Sequence, residues 1–393
     1  MDRRPLVRVD GTLVRVPGFV SAHSHAFQFG LRGNTQRTPR ATGDFWSWRE
    51  AMYRLATVLT PESLARVSRR AFEALRRAGV VCVGEFHYLH HQADGTPYED
   101  RTLLADVVLQ AALDAGLRVT LLRAAYARAG HGRGPEPGPR RFCDPSPDHV
   151  LRDLDTLRAR WQGNPRVRFG LAPHSVRAVP ADWLKPLHDY AKMHRLPFHM
   201  HVAEVQAEVD ACLAEHGRRP VELLAERGVL DARFVAVHGT NLTATEARLL
   251  GEAGAFVCAC PTTERDLGDG LADLSALRGA GVRLCTGIDS HVVTDPVEEL
   301  RALELHERLR LRRRVTFEPP EGRTPAEQLL LEGSAVGAQA LGWPCAVDAG
   351  GTTWRPSTVL DRTHPALEAV PTEALADALV FSGGACCVVG VEG

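Results

Sequence analysis

Lysine is almost absent from this chain: of 47 Lys and Arg residues, only Lys185 and Lys192 are lysine. An excess of charge of either sign is missing too. The formal net charge is -1 over 393 residues, so no basic face is on offer to nucleic acid or to an anionic membrane. No apolar run is long enough to cross a bilayer. The opening residues, Met1-Asp2-Arg3-Arg4-Pro5, lack the apolar core of a secretory signal. The nine cysteines are odd in number and sit mostly inside apolar runs such as Val81-Cys82-Val83. That argues against a disulfide framework and for buried, reduced thiols. The expectation is a cytoplasmic protein with neither a nucleic-acid nor a membrane partner.

What is present is a hydrophobic content of 44%, enough for a large core in a chain of this length. Short β-branched runs alternate with helical patterns. The strand candidates are Leu13–Ala22, Val80–Phe86, Arg118–Ala125, Val167–Ala172, Pro197–Val202, Phe234–Val237, Ala255–Cys260 and Val282–Thr286. Amphipathic stretches lie between them, including Pro61–Ala78 behind Thr60 as N-cap. Several helices end in glycine before the next strand, as at Ala78-Gly79 and Ala115-Gly116. Eight strands alternating with helices predict an α/β protein with a (β/α)8 (TIM) barrel over residues 13–344. An open doubly wound sheet is the alternative. Residues 1–12 and 345–393 are expected to form a small β appendage, and Gly130–Arg141 reads as a mobile loop that could cover a site.

In such a barrel, chemistry sits at the C-terminal ends of the strands. His23 and His25 close the first predicted strand, and residues two apart share a face, so both rings point inward. His201 closes the fifth strand, His238 the sixth and Asp289 the eighth. Three imidazoles and a carboxylate suit zinc. A lone His-x-His pair is usually incidental, but five suitable residues ending four strands are not. Glu204, three past His201, is within reach of a substrate nitrogen above a metal. His238 could ligate or hold water, and Asp289 could ligate and also accept a proton. His199 is expected to be a core or supporting histidine, His291 a supporting one, and Cys258 and Cys260 to pack within a strand.

The blocks Pro17–His25, His199–Glu204, Val237-His238 and Gly287–His291 resemble the signatures of the amidohydrolase superfamily. In its deaminase branch, that resemblance implies one metal ion on His23, His25, His201 and Asp289, with Glu204 and His238 catalytic. Two-metal members need a carboxylated lysine at a strand end, and both lysines here fall in the helical segment before strand five. A single divalent ion, zinc by its ligand set, is therefore expected.

A narrower resemblance is to the formimidoylglutamate deiminase family, on His23–Gln28, Phe45–Glu50, Glu85–His91, His174–Arg177 and Thr263–Gly270. It implies substrate contacts from Gln28, Arg49, Tyr88, His174 and Arg177, hydrolysis of N-formimino-L-glutamate to N-formyl-L-glutamate and ammonia, and a homodimer. A substrate with two carboxylates wants bidentate cations, which Arg49 and Arg177 supply. Ser47-Trp48-Arg49-Glu50 has the form of a capping box, which would place Arg49 in a helix's first turn. Trp46 and Trp48 read as packing residues. The family's β-sandwich would be reduced here, with sixteen residues before Pro17, and Asp266 stands where the family pattern has Asn. Two rival readings remain: a deaminase of a nucleobase or another amidine, and a catalytically silent barrel that binds a ligand.

Overall fold

The run Leu13–Ala22, expected as one strand, is two strands in two different sheets, Leu13–Pro17 and Phe19–Ser24. The break is at Gly18, whose amide donates to the carbonyl of Pro356 at 2.8 Å. A Cβ there would lie 2.8 Å from the Val81 side chain and 3.1 Å from the Pro356 backbone. The crossing therefore requires glycine. The computed structural model describes residues 6–37, 45–130, 132–134, 136–320, 322–348 and 351–393.

The barrel strands are β1 (Phe19–Ser24), β2 (Val80–His87), β3 (Arg118–Ala125), β4 (Val167–Pro173), β5 (Phe198–Val202), β6 (Phe234–His238), β7 (Phe256–Ala259) and β8 (Arg283–Thr286). Each pairs in parallel with its neighbour in sequence, from β1 through to β8. Just past β8, Asp289 forms a parallel bridge with Ser24 that links the last strand back to the first. The barrel is thus an eight-stranded α/β barrel with its helices outside, as the alternation predicts.

Alternation within strands decides which side chains enter the barrel. In β1, Val20 packs outward beneath Gly337 of the helical segment Pro325–Ala340. His23, on the opposite face, points inward. The far end of the barrel is stoppered by the end of that segment and Leu341 just after it. Leu341 accepts a hydrogen bond from Thr120 Oγ1 at 3.0 Å, and buried His199 donates from Nε2 to Ala340 O at 3.0 Å. Helix starts follow local chemistry. Thr60 caps Pro61–Arg77 by accepting from the Ser63 amide at 3.2 Å, and both lysines lie in Ala181–Met193.

The two ends of the chain meet in a four-stranded antiparallel sheet of Arg8–Asp10, Leu13–Pro17, Ser357–Asp361 and Val388–Glu392. Residues 1–5, 349 and 350 of the predicted appendage lie outside the described residues. Helix Leu375–Phe381 packs back on Pro296–Leu311 and Pro325–Leu331 of the barrel's outer layer.

One local expectation is corrected. Ser47 does not precede its helix: Phe45–Val58 already includes it, because buried Phe45 belongs to the same packed face as Met52, Tyr53 and Ala56. Arg49 therefore sits one turn into the helix. Of the segment Gly130–Arg141, His131 and Pro135 lie outside the described residues, but its end is anchored. Arg141 is buried and donates to the carbonyls of His91 at 2.8 Å, Leu59 at 2.9 Å and Ala56. Among the described residues all nine cysteines are free thiols, and no helix is long and apolar enough to cross a membrane.

Candidate metal centre and active site

The strand ends bring His23, His25, His201, His238 and Asp289 together. The backbone turns sharply there: Ala203, His238, Asp289 and His291 have φ of 51, 70, 53 and 60°. Left-handed backbone on a residue with a Cβ costs on the order of 1–3 kcal/mol. Four of the seven such residues in the described chain are at this one place, which marks it as over-determined by its surroundings.

His25 Nδ1 lies 2.9 Å from Phe86 O, and His201 Nδ1 lies 2.9 Å from His174 O. A carbonyl only accepts, so in both rings the proton is on Nδ1 and Nε2 presents a lone pair. Those Nε2 atoms converge. His23–His25, His23–His201 and His25–His201 are separated by 3.1, 3.2 and 3.4 Å. Asp289 Oδ1 is 3.3 Å from His23 Nε2 and 3.4 Å from His25 Nε2. Lone pairs aimed at one another at this distance are repulsive unless a cation lies among them, so the donor set fits a divalent metal. Burial keeps the rings neutral, holding His25 down to about 3 and His23 below its ordinary value. Burial alone would raise Asp289, but His23 beside it holds the carboxyl well below the usual range.

His238 stacks on His201 with centroids 5.6 Å apart. Its Nδ1 is 3.3 Å from Glu264 Oε1, while Nε2 faces Glu204 Oε1 at 3.6 Å and Asp289 Oδ2 at 3.9 Å. Burial disfavours the charged ring, yet Glu204, Glu264 and Asp289 outweigh it and push His238 up to about 10. Glu264 is in turn held by the amide of Cys260 at 2.7 Å. Glu204 is raised, first by burial.

The predicted substrate contacts share one pocket with these groups: Gln28, Arg49, Tyr88, His174 and Arg177 line it together with His25, His201, Glu204, His238 and Asp289. Gln28 Nε2 donates to Tyr88 Oη at 2.8 Å, leaving Gln28 Oε1 buried and unbonded. Arg49 Nε and Arg177 Nε and Nη1 are buried with no hydrogen-bond partner among the described residues. Both guanidiniums lie over the ring of Trp46, at 4.4 and 5.9 Å from its centroid. Trp46 is therefore a shared platform on a partly exposed surface rather than a packing residue, and Trp48 lines the pocket. Asp266 sits apart from the pocket lining, accepting from Gln36 Nε2 at 2.6 Å. His291 Nε2 meets Ser24 Oγ at 2.9 Å, and Ser24 also donates to Glu85 at 2.7 Å.

Sequence reasoning missed Glu264, Asp269, Tyr53 and Tyr126. Tyr126 follows directly after β3, and Glu264 lies in the helix Pro261–Leu267 that opens just past β7, so the strand-end rule would have found both. Tyr53, whose hydroxyl is 3.4 Å from that of Tyr126, comes from a helix and carries no such signal. Asp269 is buried, with neither carboxylate oxygen hydrogen-bonded; burial and then Glu204 raise its pKa.

Comparison with known proteins agrees with this arrangement. Residues 14–347 match the amidohydrolase family. The chain is 38% identical over 378 residues to a formimidoylglutamate deiminase of Pseudomonas aeruginosa, covering 94% of this chain and 81% of that protein. It is 27% identical to a 5-methylthioadenosine/S-adenosylhomocysteine deaminase of Syntrophobacter fumaroxidans, over 84% of this chain and 68% of that one. A crystal structure of an amidohydrolase from Brucella melitensis superposes with a TM-score of 0.87 at 34% identity, covering 98% and 89% of the two chains. With barrel, histidine cluster and these matches together, the chain belongs to the amidohydrolase family of hydrolases, as a relative of formimidoylglutamate deiminase.

Proposed function

We propose that the chain hydrolyses N-formimino-L-glutamate to N-formyl-L-glutamate and ammonia. The observation that carries this reading is a pair of half-buried arginines, Arg49 and Arg177, whose Nε atoms and Arg177 Nη1 are buried without a hydrogen-bond partner among the described residues, in the same pocket as the histidine cluster. Cations with spare buried donors fit carboxylate ligands, and bidentate pairing suits a dicarboxylate. The identity to a formimidoylglutamate deiminase supports the same substrate.

In this reading His23, His25, His201 and Asp289 hold one divalent ion, zinc by ligand type. When bound, such an ion supplies a water acidified toward neutral pH. Asp289 takes the proton of the attacking water, while His238, kept charged by Glu204, Glu264 and Asp289, holds that water from Nε2, and Glu264 orients the ring from Nδ1. Water adds to the formimidoyl carbon, Glu204 protonates the departing nitrogen, and ammonia leaves. Arg49 and Arg177 anchor the carboxylates, while Gln28, Tyr88 and His174 position the chain between them.

The test is ammonia release from N-formimino-L-glutamate by zinc-loaded protein. Turnover of guanine or adenosine-type compounds, with none of this substrate, overturns the proposal.

A further inference from the structure

We propose that Asp269, beside Glu204, binds the cationic amidine end of the substrate. This rests on the deiminase reading above and assigns a residue to the half of the substrate that the arginines do not reach.

A formimidoyl group on an amine is an amidine, a strong base that is protonated near neutral pH. Its charge spreads over two nitrogens that carry N–H donors, and its natural partner is a carboxylate. The acidic groups around His238 are Glu204, Glu264, Asp269 and Asp289. Three of these have work already. Asp289 faces the converging imidazoles, Glu264 is engaged by His238 and the Cys260 amide, and Glu204 is the proton donor. Asp269 has none. It is only 9% exposed, and both of its carboxylate oxygens are buried without a hydrogen-bond partner among the described residues. A carboxylate in that state is expensive to keep unless a cationic ligand meets it.

The backbone is built to hold it there. Helix Pro261–Leu267 ends at Gly268, with φ of 73°; the Asp269 amide donates to Glu264 O at 3.0 Å, and Gly270 follows with φ of 124°. Positive-φ glycines on both sides of Asp269 make the sharp turn that buries it. A Cβ on Gly270 would lie 3.9 Å from Thr240 Cβ, and Thr240 Oγ1 donates to the carbonyls of Ala203 at 3.0 Å and Glu204 at 2.6 Å. The Asp269 turn thus rests on the segment that carries Glu204. Its backbone is thus tied to Glu264, which holds His238, and to the Thr240 contact with Glu204, which places it by the reacting centre rather than the arginine end.

Two ligands of nearly equal shape separate charge from size: N-acetimidoyl-L-glutamate, which is cationic, and N-acetyl-L-glutamate, its neutral counterpart. We expect the zinc-loaded protein to bind the cation more tightly, by about 30-fold or more, as for a buried charge pair. Asp269→Asn and Asp269→Ser should each erase that preference, leave binding of N-acetyl-L-glutamate unchanged, and raise KM for N-formimino-L-glutamate. Variants that keep the cation preference overturn the inference. So do variants that lose the neutral ligand as well, which marks Asp269 as merely structural. Failure of the unaltered protein to hydrolyse N-formimino-L-glutamate overturns the deiminase reading itself and this assignment with it, whereas an active parent with parent-like variants overturns this assignment alone.

Discussion

The amide of Asp289 donates to the carbonyl of His23 at 3.1 Å, and the amide of His25 returns a bond to Asp289 O at 3.0 Å. The contact that links the last strand to the first is therefore made by residues whose side chains converge on the candidate metal site. Closing the barrel and assembling the cluster are the same event.

Gly287 makes that junction possible. A Cβ there would come within 2.6 Å of His23 Cβ and 3.0 Å of its backbone N and O. Gly287→Ala should therefore lose bound metal and lower the melting temperature together, since both strands must part. Metal content and thermal unfolding measured on one preparation check this, and a variant that unfolds earlier yet keeps its full metal complement contradicts it.

Removal of metal should destabilise the fold as well as silence it. A ligand in hundredfold excess over its Kd adds about 2.7 kcal/mol to stability, so chelation should lower the unfolding midpoint by a few degrees and abolish ammonia release. Re-addition of zinc should restore both. Unfolding that is indifferent to the chelator would mean that the three Nε2 atoms tolerate one another without a cation.

Arg177→Met separates binding from stability. Loss of one partner of a buried charge pair costs about 2–5 kcal/mol, so KM for the dicarboxylate should rise about 30-fold or more. Without substrate, the variant should unfold no earlier than the parent, because Arg177 Nε and Nη1 are buried without a hydrogen-bond partner among the described residues. Kinetics beside calorimetry test the pair of outcomes; an unchanged KM excludes the carboxylate role.

Glu208 should make stability fall as pH rises. Burial pushes its carboxyl from an ordinary 4.5 up to about 7, partly offset by Arg177. Between those values the folded chain holds a proton that the unfolded chain has released. The stabilising contribution is full below about pH 4.5 and lost as pH rises through 7, up to about 3 kcal/mol. Glu208→Gln, which keeps an acceptor for the Ala203 amide now 3.3 Å from Glu208 Oε1, should lose less stability between pH 5 and 8 than the parent. Parallel losses in both proteins would refute it.

Much of the site was legible because strand ends are read locally. A two-residue period places His23 and His25 on one face, and His201, His238 and Asp289 each end a β-branched run, whatever the rest of the chain does. The same local chemistry identified Thr60 as a cap and His199 as a core histidine. It failed where a neighbour distant in sequence decides. Gly18 breaks a continuous apolar run because Val81 and Pro356 occupy the space beside it. Trp46 is partly exposed, yet two arginines, from a helix and from the turn after β4, meet over its ring.

By itself, the sequence determined the alternating barrel, the inward face of each strand and the residue types at the strand ends, since periodicity and capping act over a few residues. Only the tertiary structure decided that Glu264 holds His238, that Arg49 and Arg177 keep buried N–H groups without partners among the described residues, and that Asp269 is left without one beside Glu204. Those are facts about charge and solvation between residues far apart in the chain, and they exist only once the barrel has closed and excluded water.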